Sequence, residues 1–214
     1  TPSFKEPGHR QWNEVYWVLT NGWVNVGEAM DEEYLRYINT EKNYGVKLAE
    51  DSVQHIENAK AALTPENYQQ LHDYFEHTLL AARIRRATAS AHFGFRVWCR
   101  GKKFQTPYVR DAVQNGLTEM KEVAALIRSY PNKPPVGQWD WTKDADTADT
   151  YFNWIVRDGW PAQTFGSPNP NAGMKFPYKS PDGTDYTKPS NTPNVMPPVG
   201  LRSDNLSRLV ANAF

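Results

Sequence analysis

The densest set of residues able to carry acid–base or metal chemistry is His72-Asp73-Tyr74-Phe75-Glu76-His77. On a helix His72 and Glu76 share one face, and Asp73 and His77 share another, each pair one turn apart. Imidazole beside carboxylate is the pairing of a general base, or of a metal ligand with the group that orients it. The spacing is one residue longer than the zinc-binding His-x-x-Glu-His form. A di-iron bundle needs Glu-x-x-His on two helices, whereas the residues three before His55, His72, His77 and His92 are Ser52, Gln69, Tyr74 and Ala89. His72, Glu76 and His77 are therefore the candidate polar site of a small enzyme. The preferred reading makes them solvated one-turn pairs, with no metal.

Two further charge runs invite a chemical reading. Asp140, Asp144, Asp146 and Asp149 could offer oxygens to calcium, but the glycine and the twelfth-position glutamate of the EF-hand loop are missing. Asp144 or Asp146 reads better as the N-cap of a following helix. Arg83, Arg85, Arg86, Arg96, Arg100, Lys102 and Lys103 form a basic stretch, expected to pair with carboxylates of neighbouring helices such as Glu119 and Glu122. A site for an acidic sugar is its alternative. There is no Gly-x-Ser-x-Gly, P-loop or dinucleotide fingerprint. Cys99 lies seven residues from His92, two turns along one helix, which is out of contact for a nucleophile–base pair. No catalytic residue and no cofactor are assigned.

Aromatic side chains are the other candidate. Eight Trp, eleven Tyr and nine Phe make 13% of the 214 residues. Trp and Tyr suit surfaces that are apolar yet need a polar handle, such as sugar platforms and the margins between domains. Trp139, Trp141, Trp154 and Trp160 stand in or beside predicted loops, and they are the candidate ligand-binding residues. The competing reading has the aromatics filling a helical core.

The elements that must position these residues follow from periodicity. Residues 1–30 form an aromatic N-terminal helix and turn, with Trp12, Val15, Tyr16 and Leu19 at helical spacing and a stop at Asn21-Gly22. Residues 31–130 form a helical bundle. Asp31 caps a helix carrying Tyr34, Leu35, Ile38, Val46, Ala49, Val53, Ile56 and Leu63, with Gly45 a possible kink. Thr64-Pro65 opens a second helix, its apolar stripe read as Tyr68, Leu71, Phe75, Leu79 and Ala82, continuing through Ala89 and Phe93 towards Trp98, with Cys99 as its end if it is continuous. Thr106-Pro107 opens a third, with Val109, Val113, Leu117, Met120, Ala124 and Ile127, and Tyr130-Pro131 closes it. Three such stripes joined by short connections must pack antiparallel.

Residues 131–160 read as a loop and a short helix at Thr147 to Arg157. Residues 161–200 are rich in proline, with Trp160, Phe165, Phe176, Tyr178 and Tyr186 among the turns, and predict an ordered arm laid over the bundle or over a neighbour. Residues 201–214 form a last helix. The fold class is all-α: an antiparallel bundle of three long helices plus short helices, with a proline-rich irregular arm.

Composition narrows the function. Twenty-four basic residues balance twenty-four acidic ones, which argues against a nucleic-acid partner. A single cysteine excludes an internal disulfide framework. No apolar run is long enough for a membrane span. The chain opens at Thr1-Pro2 with no signal peptide in view, so a processed product or an excised piece is expected.

Within this frame Asp31-Glu32-Glu33-Tyr34-Leu35-Arg36-Tyr37-Ile38, the run Phe75 to Arg83 and the run Ala91 to Trp98 resemble helical segments that follow the barrel in large multidomain glycoside hydrolases, the α-glucuronidases and related polysaccharide-degrading enzymes among them. The likeness extends from Asp31 to Arg100. It implies a C-terminal accessory domain that buttresses a catalytic domain, joins a dimer contact or frames a sugar cleft. The catalytic acids of such enzymes sit on the barrel, so none is carried over. The expected function is a non-catalytic helical accessory domain of a secreted or periplasmic carbohydrate-active protein, with a neighbouring domain or subunit, or carbohydrate, as partner. The alternatives are the small enzyme above and a structural assembly protein whose proline-rich arm clasps a neighbouring subunit.

Overall fold

The computed structural model describes residues 31–131, 142–159, 163–164, 167–168 and 172–188. The expected helices in 1–30 and 201–214 lie outside the described residues, as do Trp139, Trp141, Trp160 and Asp140. Helix α1 spans Glu32–Ala59, with the Asp31 carboxylate accepting from the Tyr34 N–H at 2.9 Å and Glu32 and Glu33 in the first turn, where the helix dipole favours them. Helix α2 spans Pro65–Cys99, 35 residues, capped by the Thr64 hydroxyl. Helix α3 spans Pro107–Ser129 with the same Thr-Pro opening at Thr106, and extended Tyr130 ends it. Single 3₁₀ turns at Lys60–Ala62 and Lys102–Phe104 join the three.

Helix α1 runs unbroken through Gly45. A glycine costs a helix about 1 kcal/mol of entropy, and the buried Leu35, Ile38, Val46 and Ala49 outweigh that. The expected short helix begins earlier: α4 spans Thr142–Asn153 and continues into a π-helical turn at Trp154–Asp158. Asp144 and Asp146 thus stand inside α4 rather than at its cap.

The long helices are antiparallel. Glu57 of α1 meets Tyr68 of α2, while Leu35 packs in one cluster with Phe93 and Val97. Asp73 of α2 meets Tyr130, just past α3, while Gly94 lies against Val113. Helix α4 runs back along α3, with Lys121 bound to Asp149 and Arg128 bound to Asp146. Helix α2 is the hub: α1 packs on one side of it and α3 and α4 on others, and α1 touches α3 only near their N-terminal ends.

That arrangement corrects the stripe read for α2. Its later members Ala89 and Phe93 are buried as read, but Leu71 is exposed and Tyr68, Phe75, Leu79 and Ala82 are half-buried, whereas Leu80, Ile84, Ala87, Ala91 and Phe95 form the core with α3. A helix enclosed on several sides has no single stripe, and Ala91 through Val97 are buried all round. The stripe read for α3 holds at every position, because α3 buries one face only. The two helices pass close together at Gly116, where a Cβ would come within 2.7 Å of the Ala91 nitrogen and 2.9 Å of the Ala87 oxygen.

The described part of the arm, 172–188, lies over the chain's own α3 and α4. Phe176 is buried, edge-on to Trp98, and its N–H donates to the Ile155 carbonyl at 2.7 Å. Tyr178 and Tyr186 pack edge-on against Phe152. Gln114 holds the strand of chain at both ends of its amide, donating to the Lys179 carbonyl at 2.6 Å and accepting from the Lys179 N–H at 3.1 Å. A two-residue antiparallel pairing of Gln163–Thr164 with Ser167–Pro168 is the arm's other regular feature among the described residues.

Candidate functional site

The His72–His77 segment runs from the second to the fourth turn of α2, where, among the described residues, it meets α1 and the end of α3. His72 Nε2 is 3.1 Å from Glu57 Oε1 and 3.9 Å from Glu76 Oε1. The Tyr68 hydroxyl donates to the same Glu57 oxygen at 2.8 Å, and its ring tilts against His72 at 5.5 Å. Glu57 is therefore the centre of this cluster. Sequence reading missed it, although the tight turn at Lys60–Ala62 sets Glu57 across from Tyr68 and His72 in any helical hairpin.

His77 does not join them. Five residues further along, it is rotated about 140° from His72 at ~100° per residue. It is buried between α2 and α3, with its ring edge-on to Tyr130 at 4.6 Å. The Tyr130 hydroxyl and the Gln69 amide both donate to Asp73 Oδ1, each at 3.0 Å. Burial and the neighbouring Asp73 and Glu76 carboxylates raise the Tyr130 phenol, which keeps it protonated and able to donate. The candidate site thus divides into two interhelix clusters, His72–Glu57–Glu76 and Asp73–His77–Tyr130. Only the first matches the expectation of partly solvated pairs; His77 is enclosed.

The charge runs are likewise resolved into helix–helix pairs. Arg83 and Arg86 converge on Glu119, with Arg83 Nε 3.2 Å from Oε1, while Glu122 points to solvent. Asp144 is nearly enclosed and lies 3.4 Å from Arg85; burial raises its carboxyl and Arg85 pulls it down by less. Asp146 takes Arg128 at 2.7 Å, and Asp149 takes both Lys121 at 2.8 Å and Arg128 at 2.7 Å. Carboxylates already engaged by arginine and lysine side chains do not present the converging oxygens that calcium needs. Among the described residues no three His, Cys, Asp or Glu side chains come together to hold a metal ion. Burial pushes the Cys99 thiol up to about 12, with Arg96 pulling weakly the other way, so it is not a thiolate near neutrality.

Of the four candidate tryptophans, Trp154 alone lies within the described residues. It stands in the π-helical turn rather than a loop, half-buried, edge-on to Tyr151 at 5.5 Å and leaning on the main core. Among the described residues, the large aromatic and aliphatic side chains that face outward are different ones: Tyr37, Tyr44 and Leu48 on α1, Leu71 and Tyr74 on α2, and Leu126 on α3. Their signal was present in the spacing. Tyr37, Tyr44 and Leu48 recur at seven and four residues on the side of α1 opposite Leu35, Ile38, Val46 and Ala49. No family model, curated protein or solved structure matches this chain.

Proposed function

We propose that this chain is a non-catalytic helical interaction domain, an accessory module of a secreted carbohydrate-active protein that packs against a partner domain or a glycan through outward Trp and Tyr side chains. The observation that carries the reading is a division of labour. The described acid, base and histidine clusters are engaged between helices, while Tyr37, Tyr44, Leu48, Leu71 and Tyr74 face outward on the α1–α2 hairpin. An enzyme would need polar groups converging on one solvent-reachable point. Here His72 and His77 serve opposite sides of α2. The arm-clasp alternative has less support, because residues 172–188 are laid on their own chain.

The test is a titration with acidic and neutral oligosaccharides followed by Trp fluorescence. The expected result is a saturable change with one class of sugar, reduced in the variants Tyr44→Ala and Tyr74→Ala, which alter exposed rings. Absence of any response to every sugar removes the glycan contact and leaves only the packing role, which pull-down against candidate catalytic domains then tests separately.

A further inference from the structure

We propose that the groove between α3 and α4 is a peptide-recognition site, occupied in the free chain by the chain's own residues 175–186 and open to a segment of the same pattern on another protein. The pattern is Phe-Pro-Tyr with a second tyrosine eight residues on, as in Phe176-Pro177-Tyr178 and Tyr186. The proposal goes beyond the glycan reading and does not depend on it. The contacts are those by which a groove reads a peptide. Gln114 of α3 gives its side-chain amide to main chain, donating to the Lys179 carbonyl at 2.6 Å and accepting from the Lys179 N–H at 3.1 Å. That pair holds a backbone of any sequence, and pockets beside it supply the selectivity. Phe176 is buried edge-on to Trp98 of α2 at 5.5 Å, and its N–H donates to the Ile155 carbonyl at 2.7 Å. Tyr178 lies edge-on to Phe152 at 5.3 Å, with its hydroxyl 3.1 Å from that of Thr118. Tyr186 meets the same Phe152 ring at 5.1 Å, and the Lys121 ammonium stands over both rings.

The way the arm is held marks it as an exchangeable occupant instead of a further layer of core. Burial alternates from Phe176 to Ser180, with one side of the chain towards the groove and the other, Pro177 and Lys179, towards solvent. Phe176 is the one buried residue of 172–188, at 3% exposure, and 181–185 are exposed. Between arm and bundle the main chains are joined by the bond from Phe176 to Ile155, whereas the Tyr178 and Gly183 N–H groups turn back on Phe176 and Ser180 of the arm itself. A segment held in this way can leave without breaking a helix, and such segments open at the low end of the stability range. Ile155 lies in the π-helical turn that ends α4, and turns of that kind recur at functional sites. The same contacts fix the kind of segment that fits. Pro177 and Pro181 have no N–H, and the groove offers one side-chain amide to the backbone, so neither a helix nor a sheet edge matches it. The arm has the advantage of its tether, since Gly173, where it begins, lies against Gly159 just past α4. A short tether gives its occupant an effective concentration in the ~mM range, so a segment in trans enters readily only once the arm is loosened.

The experiment is fluorescence anisotropy of a labelled synthetic peptide of residues 172–188 titrated with the full chain, with circular dichroism to check each variant. Two variants loosen the arm: Phe176→Ala with Tyr178→Ala removes its anchors, and Lys179→Pro removes the N–H donated to Gln114. Both are expected to bind the peptide saturably and at least ~10-fold more tightly than the wild type, whose own arm competes. Adding Gln114→Ala to either should weaken that binding about 10-fold, the worth of two hydrogen bonds. A peptide carrying alanine at 176 and 178 should not bind. No saturable binding to variants that keep the wild-type helicity overturns the proposal. Binding that is equal in wild type and variants, or unmoved by Gln114→Ala, overturns it as well. Loss of helix in both variants does the same, because the arm is then part of the core and not an occupant.

Discussion

Gly116→Ala probes the close contact of α2 with α3. The added Cβ would meet the Ala91 nitrogen at 2.7 Å and the Ala87 oxygen at 2.9 Å, about 0.7 Å short of ordinary contact, which begins at 3.4 Å. Both obstacles are main-chain atoms of a helix and cannot rotate away, so α2 and α3 must separate. Overpacking of this kind costs roughly 1–3 kcal/mol, and the better helix propensity of alanine returns up to ~1 kcal/mol. The expected net loss is about 1–2 kcal/mol, or a fall in Tm of roughly 2–8 °C for a chain of this size. The control is Gly45→Ala, where the new Cβ meets nothing within 4 Å and propensity acts alone, so a gain of up to ~1 kcal/mol is expected. Urea denaturation of both variants against the parent is the assay. A neutral or stabilising Gly116→Ala would refute the close packing of α2 on α3.

Other outcomes follow from the same geometry. Leu117→Ala and Met120→Ala remove fully buried side chains between α2, α3 and α4, so each should lower stability by about 2–5 kcal/mol in the same assay. The Cys99 thiol, pushed up to about 12, should react with a disulfide reagent at pH 8 far more slowly than in the unfolded chain; equal rates would contradict its burial. Hydrogen bonds from the Ser180 hydroxyl and the Thr184 N–H hold Asp182 down at about 2, below its ordinary 3.8. A depressed carboxyl lends stability above its unfolded pKa and loses it as pH falls through the folded one, so the turn at 180–184 should loosen between about pH 4 and 2. Amide and ring NMR signals of Thr184 and Tyr186 report this, and Asp182→Asn should abolish the transition.

Much of this fold was legible because its punctuation is strong. Asp31, Thr64-Pro65 and Thr106-Pro107 fix three helix starts by satisfying or removing end N–H groups, and all three lie where the residues predict. The stripe of α3 was readable because one face carries the burial. The stripe of α2 was not, since a hub helix is buried on several sides and alternation loses its phase there. The start of α4 was missed because Asp144 looks like a cap when its partner, Arg85, is 59 residues away. The polar clusters suffered similarly. One-turn pairing identifies His72 with Glu76, but only tertiary packing brings in Glu57 and Tyr130 and turns His77 inward. The outward stripe Tyr37–Tyr44–Leu48 is visible in the spacing, on the side of α1 opposite Leu35, Ile38, Val46 and Ala49.

Amide hydrogen exchange of the free chain tests most directly whether α2 is an enclosed hub with the α1–α2 hairpin standing out from it. Exchange at 87–97 and at 112–124 should proceed only through global unfolding, while 50–72, half-buried or exposed along most of its length, should exchange by local opening many-fold faster. Equal protection of the hairpin end and the α2–α3 centre would contradict this packing and the surface it leaves for a partner.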